Sequence, residues 1–476
     1  MKKNETIELT ITDMGVNGEG IGKAGGYTFF VKNAVIGDTV SAVITKMNKG
    51  FGYAKTLQVL SCSADRMEPP CPEAARCGGC QIMELSYPAQ LKYKEQKVKG
   101  NLERLGGLDL SSFDVLPVIG MESDGPVPLS FRNKMQYPFG VDKNGHIVTG
   151  FYAGRTHYLI ETDNCPVALP GDENIRRAVC AFAEENALTV YEEASGKGLL
   201  RHLLIRRGAA TGQVMVCLVI NGKDLGSPET EQAFVAAMKK ADPAICSICL
   251  NSNQEKTNVI LGKTLRCLYG GAYIEEEIRV SGSRTKVLRF CISPLSFFQV
   301  NTPQTEKLYS TALSFADLQG GETVWDLYCG TGTISLFVAG SAKKVIGVEV
   351  IPAAIADAKE NARRNGIANA QFLCGRSEEV FPEAVLQEKE PADVVILDPP
   401  RKGCDAKLLD AIRKVGPEKI VYVSCDSATL ARDLKILTGA EPARKDGAAY
   451  RIQKVQPVDM FPNTVHCEVV VLLFRV

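Results

Sequence analysis

Three sets of residues in this 476-residue chain have types and spacings that do chemistry. The first is VYVSCDSATL, residues 421–430, which sets Cys425 just beyond an apolar run that reads as a core strand. A strand end at a ligand-facing edge exposes a nucleophile, and a thiolate there adds to electrophilic carbon. The competing reading is a structural thiol in the core. The second set is DMFPNTVHCE, residues 459–468, where His466 and Glu468 are two proton acceptors that their spacing puts on one side of a strand. The third is Cys71, Cys77 and Cys80, a C-x5-C-x2-C pattern in sequence rich in Gly and Pro. Three thiols so close, with no regular periodicity around them, predict a metal site that cross-links the loop. Tetrahedral zinc or a four-iron cluster needs a fourth ligand, and spacing does not choose between the two. That ligand is not local: Cys62 is nearest, and Cys165 in DNCPV is more distant.

A small-molecule site is written in DLYCGTGTISL, residues 326–336, at a strand-to-helix turn. Gly330 and Gly332 let the backbone pass close to a ligand. A dinucleotide fingerprint wants a third small residue at 335, where Ser335 is a partial match, and Thr331 and Thr333 flank the second glycine. Glu349 ends the next strand-like run, 23 residues after Asp326, where a carboxylate takes both hydroxyls of an adenosine ribose. An adenosine without phosphate points to S-adenosylmethionine. In LDPPR, residues 397–401, two prolines stiffen the loop and remove backbone donors, holding Asp398 beside that ligand. Enzymes that methylate amino groups carry an aromatic after a similar Asp-Pro-Pro, so Arg401 argues against amino chemistry.

The elements that must position these groups fall into about three domains for this length. Residues 1–61 alternate polar and apolar positions in short runs separated by Asn17-Gly18, Gly25-Gly26 and Gly37-Asp38, which predicts a small all-β barrel. Residues 88–105 read as a helix closed by Gly106-Gly107, with the wider span 88–107 expected to pack on the catalytic domain. Residues 62–293 are mainly strand-like and form a β-rich central domain that carries the cysteine loop. Cys246 and Cys249 within it read as core. From 294 to 476 strands and helices alternate, which predicts an α/β fold with a doubly wound parallel sheet and ligands at the strand carboxyl ends.

Composition is that of an ordinary globular protein: 45% apolar, 23% charged, 55 basic against 55 acidic residues. Balanced charge argues against a wholly basic surface but leaves room for a local stripe, such as KYKEQKVKGNLER at 92–104 or the group Arg201, Arg206 and Arg207. Each reads by itself as a solvated face. MKKNETIELTITD has no apolar run after its lysines, and Val469 to Phe474 is too short to span a bilayer, so neither a signal peptide nor a membrane is expected. Sixteen cysteines then act as ligands, nucleophiles or core residues in a cytoplasmic protein rather than as a disulfide framework.

Taken together, DLYCGTG, LDPPRKG, VYVSCDSATL and DMFPNTVHCE resemble the RNA uracil-5-methyltransferase family over essentially the whole chain. The resemblance implies a Rossmann-like methyltransferase domain that moves a methyl group from S-adenosylmethionine to carbon 5 of uridine. Cys425 would be the nucleophile and Glu468 the base, with Gln299, Tyr328, Gly330, Glu349 and Asp398 holding the methyl donor. The first domain resembles a TRAM barrel (OB-like) that binds RNA. The branch with barrel and cysteine loop implies a [4Fe–4S] cluster on Cys71, Cys77, Cys80 and Cys165. It also implies 23S ribosomal RNA as substrate, met before full subunit assembly by a monomer. Arg132 and Lys134 of FRNK, with Phe298, are expected to contact that RNA. The alternatives are the same reaction on transfer RNA, or an RNA amino-group or cytosine-5 methyltransferase. Two positions depart from the family pattern: Asp426 stands where Asn is usual and Cys467 where an aliphatic is usual. An acid at 426 is expected to raise the Cys425 pKa.

Overall fold

Alternation at the start of the chain closes a barrel. Ile7, Leu9 and Ile11 point inward between polar neighbours, and they meet Phe29, Val31, Val40, Ala42 and Ile44 in one apolar core. The strands Thr6–Met14, Gly20–Ala24, Tyr27–Lys32, Thr39–Met47 and Phe51–Ser61 pair in the order first, second, third, fifth, fourth and back to the first. The structure is a computed structural model that describes residues 1–154, 156–280, 286–387, 389–439 and 447–476. After the barrel, residues 62–86 form no helix and no named strand. The helix Tyr87–Arg104 follows, with proline in its first turn.

A seven-stranded sheet occupies the middle of the chain. Its order is Thr264–Gly270, Ile245–Ser252, Val214–Ile220, Leu200–Arg207, Lys134–Val141, Ile147–Tyr152 and Leu159–Glu161. Two helices that the strand-like reading did not anticipate, Asp172–Glu185 and Pro228–Ala241, cover one face through Ile175, Val179, Phe182, Phe234 and Met238. The signal for the second was Ser227-Pro228: the serine hydroxyl accepts from the Thr230 N–H and caps the helix. Cys249 is core as expected, fully buried, whereas Cys246 is half-exposed.

The third layer is the eight-stranded sheet Ala370–Cys374, Lys344–Glu349, Thr323–Leu327, Val394–Leu397, Lys419–Ser424, Glu468–Arg475, Tyr450–Val458 and Asp114–Val115. The first five strands named are parallel, and Glu468–Arg475 inserts antiparallel beside Lys419–Ser424. Helices cover both faces, so the strands are apolar throughout. One face packs on Thr302–Ala316, Thr333–Ala339 and Pro352–Arg364, together with the hairpin strands Ile274–Val280 and Lys286–Ile292. The other packs on Ala406–Val415, Ser427–Leu437 and the earlier helix Tyr87–Arg104, through Val98 and Leu102. Chain from before residue 294 therefore builds part of the catalytic body. Among the described residues, no helix is long and apolar enough to cross a membrane.

Candidate active site

The chain enters the large sheet at Thr323–Leu327, winds outward to Lys344–Glu349 on one side, and later returns to Val394–Leu397 on the other. That reversal opens a crevice at the strand carboxyl ends. Leu327 pairs with both Val348 and Leu397, so Tyr328, Glu349 and Asp398 come out side by side one step beyond. Tyr328 has a left-handed φ of +71°, a conformation that costs about 1–3 kcal/mol and marks a constrained turn. Gly330 and Gly332, at φ +55° and +80°, complete it, and a Cβ on Gly332 would stand 3.0 Å from the Phe372 ring. The Glu349 carboxylate accepts from the N–H groups of Gly330 (3.3 Å) and Ile351 (3.0 Å), which fixes it at the crevice mouth. Asp326 lies underneath, fully buried, and accepts from the Ser335 hydroxyl at 2.5 Å. The residue that half-matched a dinucleotide fingerprint is thus a brace for the turn. Gln299 is buried, and Asn133 Nδ2 donates to its carbonyl at 3.0 Å.

Cys425 and Glu468 meet by register. In the antiparallel pair, Ser424 lies opposite Val469, so the next step brings Cys425 opposite Glu468. Side chains at opposed positions have Cβ atoms about 4.5–5.5 Å apart. Glu468 is 2% exposed, and its Oε2 has no hydrogen-bond partner among the described residues. Burial first, and then the charge of Asp398, push its carboxyl up to about 8, while Arg401 pulls the other way. Cys425 is half-buried. Burial, Glu468 and Asp398 push its thiol up to about 12, again against Arg401. Burial and the Asp326 charge lift Asp398 to about 7. Asp426 contributes to the raised Cys425 pKa as expected, but it also caps the helix Ser427–Leu437 by accepting from Ala428 and Thr429 N–H at 2.8 and 3.1 Å. Asparagine caps a helix as well as aspartate does, so the negative charge here is not required by the fold.

His466 needs a correction. The strand begins at Glu468, so His466 lies in the preceding turn and does not share a strand face with it. Burial, then Arg401, Lys97 and Lys94, lower its pKa to about 4, leaving a neutral ring. The turn is held from the helix Tyr87–Arg104. Lys94 and Asp459 form an ion pair at 2.5 Å with both side chains fully buried, and Lys94 also donates to the Phe461 carbonyl at 2.9 Å. Tyr87 donates to Asp459 at 2.9 Å, and Gln90 bonds Asn463. Lys97 adds a bond to the Val465 carbonyl at 2.9 Å, so two of the five cations in the run read as a solvated face hold the turn before Glu468 instead.

A cleft of about 1050 Å³ runs from Cys425, Asp426 and His466, past Cys77 and Gly78, to the outer face of the barrel. There Phe30 and Tyr53 pack with Phe51, ring centroids 5.5–6.0 Å apart, beside Lys32, Lys46 and Lys55. The aromatic and lysine positions of FFVK (29–32) and FGYAK (51–55) are the signal the sequence offered for it.

Around the cysteine loop, Cys71, Cys80 and Cys165 pack on Met83, Phe131 and Val167. Cys77 lies within electrostatic reach of Cys71 and Cys80. Backbone N–H groups face three of the sulfurs: Gly79 to Cys77 at 3.4 Å, Val167 and Ala168 to Cys165, Glu73 and Ala74 to Cys71. Among the described residues, however, no group of three or more His, Cys, Asp or Glu closes on a single metal ion. Cys62 is exposed.

The expected RNA contacts are redrawn. Phe298 is 3% exposed and packs on Phe290; the neighbouring Phe297, 69% exposed, is the aromatic that faces out. Arg132 is half-buried beside Cys80 and Cys165. Lys134 is half-buried next to Arg206. The group Arg201, Arg206 and Arg207 is not a solvated face. Arg201 and Arg206 are buried, and Arg207 pairs with Asp172 at 2.8 Å and Asp242 at 2.9 Å.

Comparisons with known proteins bear on this geometry. Residues 248–476 match the model of the tRNA (uracil-5-)-methyltransferase family, and residues 2–57 match the TRAM domain. An RNA methyltransferase of Clostridium tetani is 46% identical over 473 residues, covering 99% of this chain and 97% of that protein. One from Halalkalibacterium halodurans is 43% identical over 99% of this chain and 98% of its own length. Among solved structures, the Pyrococcus abyssi tRNA (uracil-54, C5)-methyltransferase in complex with S-adenosyl-L-homocysteine superposes with a TM-score of 0.73 at 26% identity. It covers 98% of this chain and 100% of that one.

Proposed function

The chain belongs to the RNA (uracil-5-)-methyltransferase family and is an S-adenosylmethionine-dependent enzyme, and from that premise we propose that it forms 5-methyluridine in 23S ribosomal RNA through a covalent Cys425 adduct and proton removal by Glu468. The reading is carried by one observation: an unpartnered buried carboxylate oxygen on Glu468, opposed in register to the Cys425 thiol, with Asp398 alongside. Carbon 5 of uracil is a weak nucleophile. When Cys425 Sγ adds to carbon 6, electron density passes to carbon 5 as an enolate. The methyl donor, which Gln299, Tyr328, Gly330, Glu349 and Asp398 would hold, supplies the electrophilic methyl group: carbon 5 bonds to it as the methyl–sulfonium bond breaks and the neutral thioether leaves. Glu468 then takes the carbon-5 proton, the carbon 5–carbon 6 double bond re-forms, and the Cys425 sulfur leaves.

Raised pKa values keep protons on both groups at neutral pH. Elimination, read as decay of the methylated adduct, is therefore expected to speed up with pH through about 8, as Glu468 becomes a carboxylate. Stability runs the opposite way. A carboxyl whose pKa is raised on folding contributes fully below its unfolded value, about 4.5, and that contribution is lost as pH rises through about 8. Glu468→Gln should therefore melt at a higher temperature than the parent, by a margin that widens from pH 5 to pH 9. Parallel melting curves with no change in margin would contradict the buried-acid account.

Cys71, Cys77, Cys80 and Cys165 are the proposed ligands of a [4Fe–4S] cluster. Cys71, Cys80 and Cys165 share one packed patch, Cys77 is within electrostatic reach of two of them, and backbone N–H groups turned to three sulfurs suit the thiolates of such a cluster. Cys71→Ser is expected to give colourless, poorly soluble protein, and anaerobic parent protein to be brown with iron and acid-labile sulfide. One zinc and no iron would overturn this assignment.

The RNA strand is proposed to run in the cleft from the barrel's aromatic and lysine face to Cys425, with the target base flipped out of its stack. We take the enzyme to be a cytoplasmic monomer. Transfer RNA is the second reading, favoured by the substrate named for the Pyrococcus abyssi protein. Mapping 5-methyluridine in ribosomal and transfer RNA from cells with and without the gene decides between them: loss from 23S RNA alone is expected, and loss from transfer RNA alone would reverse the choice.

A further inference from the structure

A buried cation with no counter-charge among the described residues lies beside the loop that carries Gln299. Arg206, on the strand Leu200–Arg207, is 1% exposed, and its Nε and Nη1 have no hydrogen-bond partner. Only Nη2 is used, donating to the Ser296 carbonyl at 3.0 Å. Directly across the antiparallel pair is Lys134, in register with Arg206, so both side chains leave the same face of the sheet. A third cation, Arg132, stands nearby. No carboxylate is among the groups acting on either Arg206 or Lys134: burial alone depresses Arg206, and burial, Arg206 and Arg132 depress Lys134.

Buried guanidinium groups are almost always paired, because an unpaired charge in a low-dielectric setting is costly. Other buried arginines of this chain are met on several nitrogens: Arg207 takes two aspartates and Arg66 takes Asp38, while Arg201 and Arg176 each donate to two or more backbone carbonyls. Arg206 differs from these in having a single bond, and Lys134, which is half-buried beside it, is the member of the pair that reaches the surface. The roof is the loop 293–299, with Ser296 held by Arg206 and Asp357, the Gln299 carbonyl held by Asn133, and Phe297 facing out. Unused N–H donors on a planar guanidinium beside an ammonium suit the tetrahedral oxygens of phosphate.

We propose that Lys134 and Arg206 form a buried receptor for one phosphodiester of the bound RNA, next to the loop that carries Phe297 and Gln299. This rests on the reading of the protein as an RNA methyltransferase. Arg206 is a positioning residue here: the anion it receives sets the strand against that loop.

The test uses the full chain and two probes, inorganic phosphate and a single-stranded uridine-containing oligoribonucleotide. Lys134→Met keeps the aliphatic stem and removes the charge. It should weaken RNA binding several-fold and lower the log–log salt slope by about 1. Replacing phosphodiesters one at a time by neutral methylphosphonates should reproduce that loss at one position, and at that position cost Lys134→Met nothing further. Phosphate should raise the melting temperature of the parent and not of Lys134→Met or Arg206→Met. A purely structural Arg206 would leave the Arg206→Met variant destabilised or unfolded, yet leave the salt slope and phosphate response of Lys134→Met equal to the parent's; that result overturns the receptor. Parent protein that binds RNA with this pattern but forms no 5-methyluridine would overturn the uracil reading and leave the receptor standing.

Discussion

Cys425→Ala is expected to bind S-adenosylmethionine like the parent and to form no 5-methyluridine. The two functions separate because the donor site and the thiol are built by different strand ends: Tyr328, Gly330 and Glu349 follow Thr323–Leu327 and Lys344–Glu349, whereas Cys425 follows Lys419–Ser424. Removing the sulfur removes the only route proposed for activating carbon 5, so the loss is of the whole reaction. The same variant should fail to form a denaturant-stable complex with RNA containing 5-fluorouridine, which traps the parent because fluorine cannot be removed as a proton. Calorimetric titration of the donor, product analysis and denaturing gels read the three outcomes. Retained methyl transfer would remove Cys425 from its role.

Glu468→Gln is expected to stall the same reaction one step later. Addition and methylation need the thiolate; only elimination needs the carbon-5 proton removed. The amide keeps the shape of a side chain that is 2% exposed and cannot accept that proton. On ordinary uridine RNA it should therefore accumulate a covalent adduct already carrying the methyl group, with turnover lower by ~10²–10⁴-fold. Mass spectrometry of the adduct distinguishes a methylated from an unmethylated ring. His466 is the rival base. Its ring is neutral with a pKa near 4, a weak acceptor, and the turn before the strand removes the shared face that its spacing suggested. Normal turnover by Glu468→Gln with adduct on His466→Ala would reverse the assignment.

The parts legible in the sequence were those written locally. Alternation of Ile7, Leu9 and Ile11 gives the barrel wall, and continuous apolar runs such as VVIL give buried parallel strands. Glycines before a helix gave the donor turn. What could not be read depends on contacts between distant segments. Lys94 looked like one lysine of a solvated stripe until the fold brought Asp459 to it, 365 residues away. Phe297 and Phe298 are adjacent and chemically identical; only the packing of Phe290 decides which is buried. Arg206 and Arg207 likewise part, one into an unpaired pocket and the other onto two aspartates. The helices Asp172–Glu185 and Pro228–Ala241 were missed because strand-rich neighbours dominated the reading of residues 115–293. The cysteine loop shows the limit most plainly. Its spacing groups Cys71, Cys77 and Cys80, and Cys165 joins them only through tertiary packing beside Phe131.

The central claim is that carbon 5 of uridine is methylated through a Cys425 adduct resolved by Glu468. The most direct measurement is tritium release from RNA labelled at carbon 5 of uridine, followed together with methyl incorporation. The account predicts one tritium released for each methyl group gained by the parent protein, and none by Cys425→Ala. Methyl incorporation without tritium release would contradict it, because the methyl group would then lie elsewhere than on carbon 5.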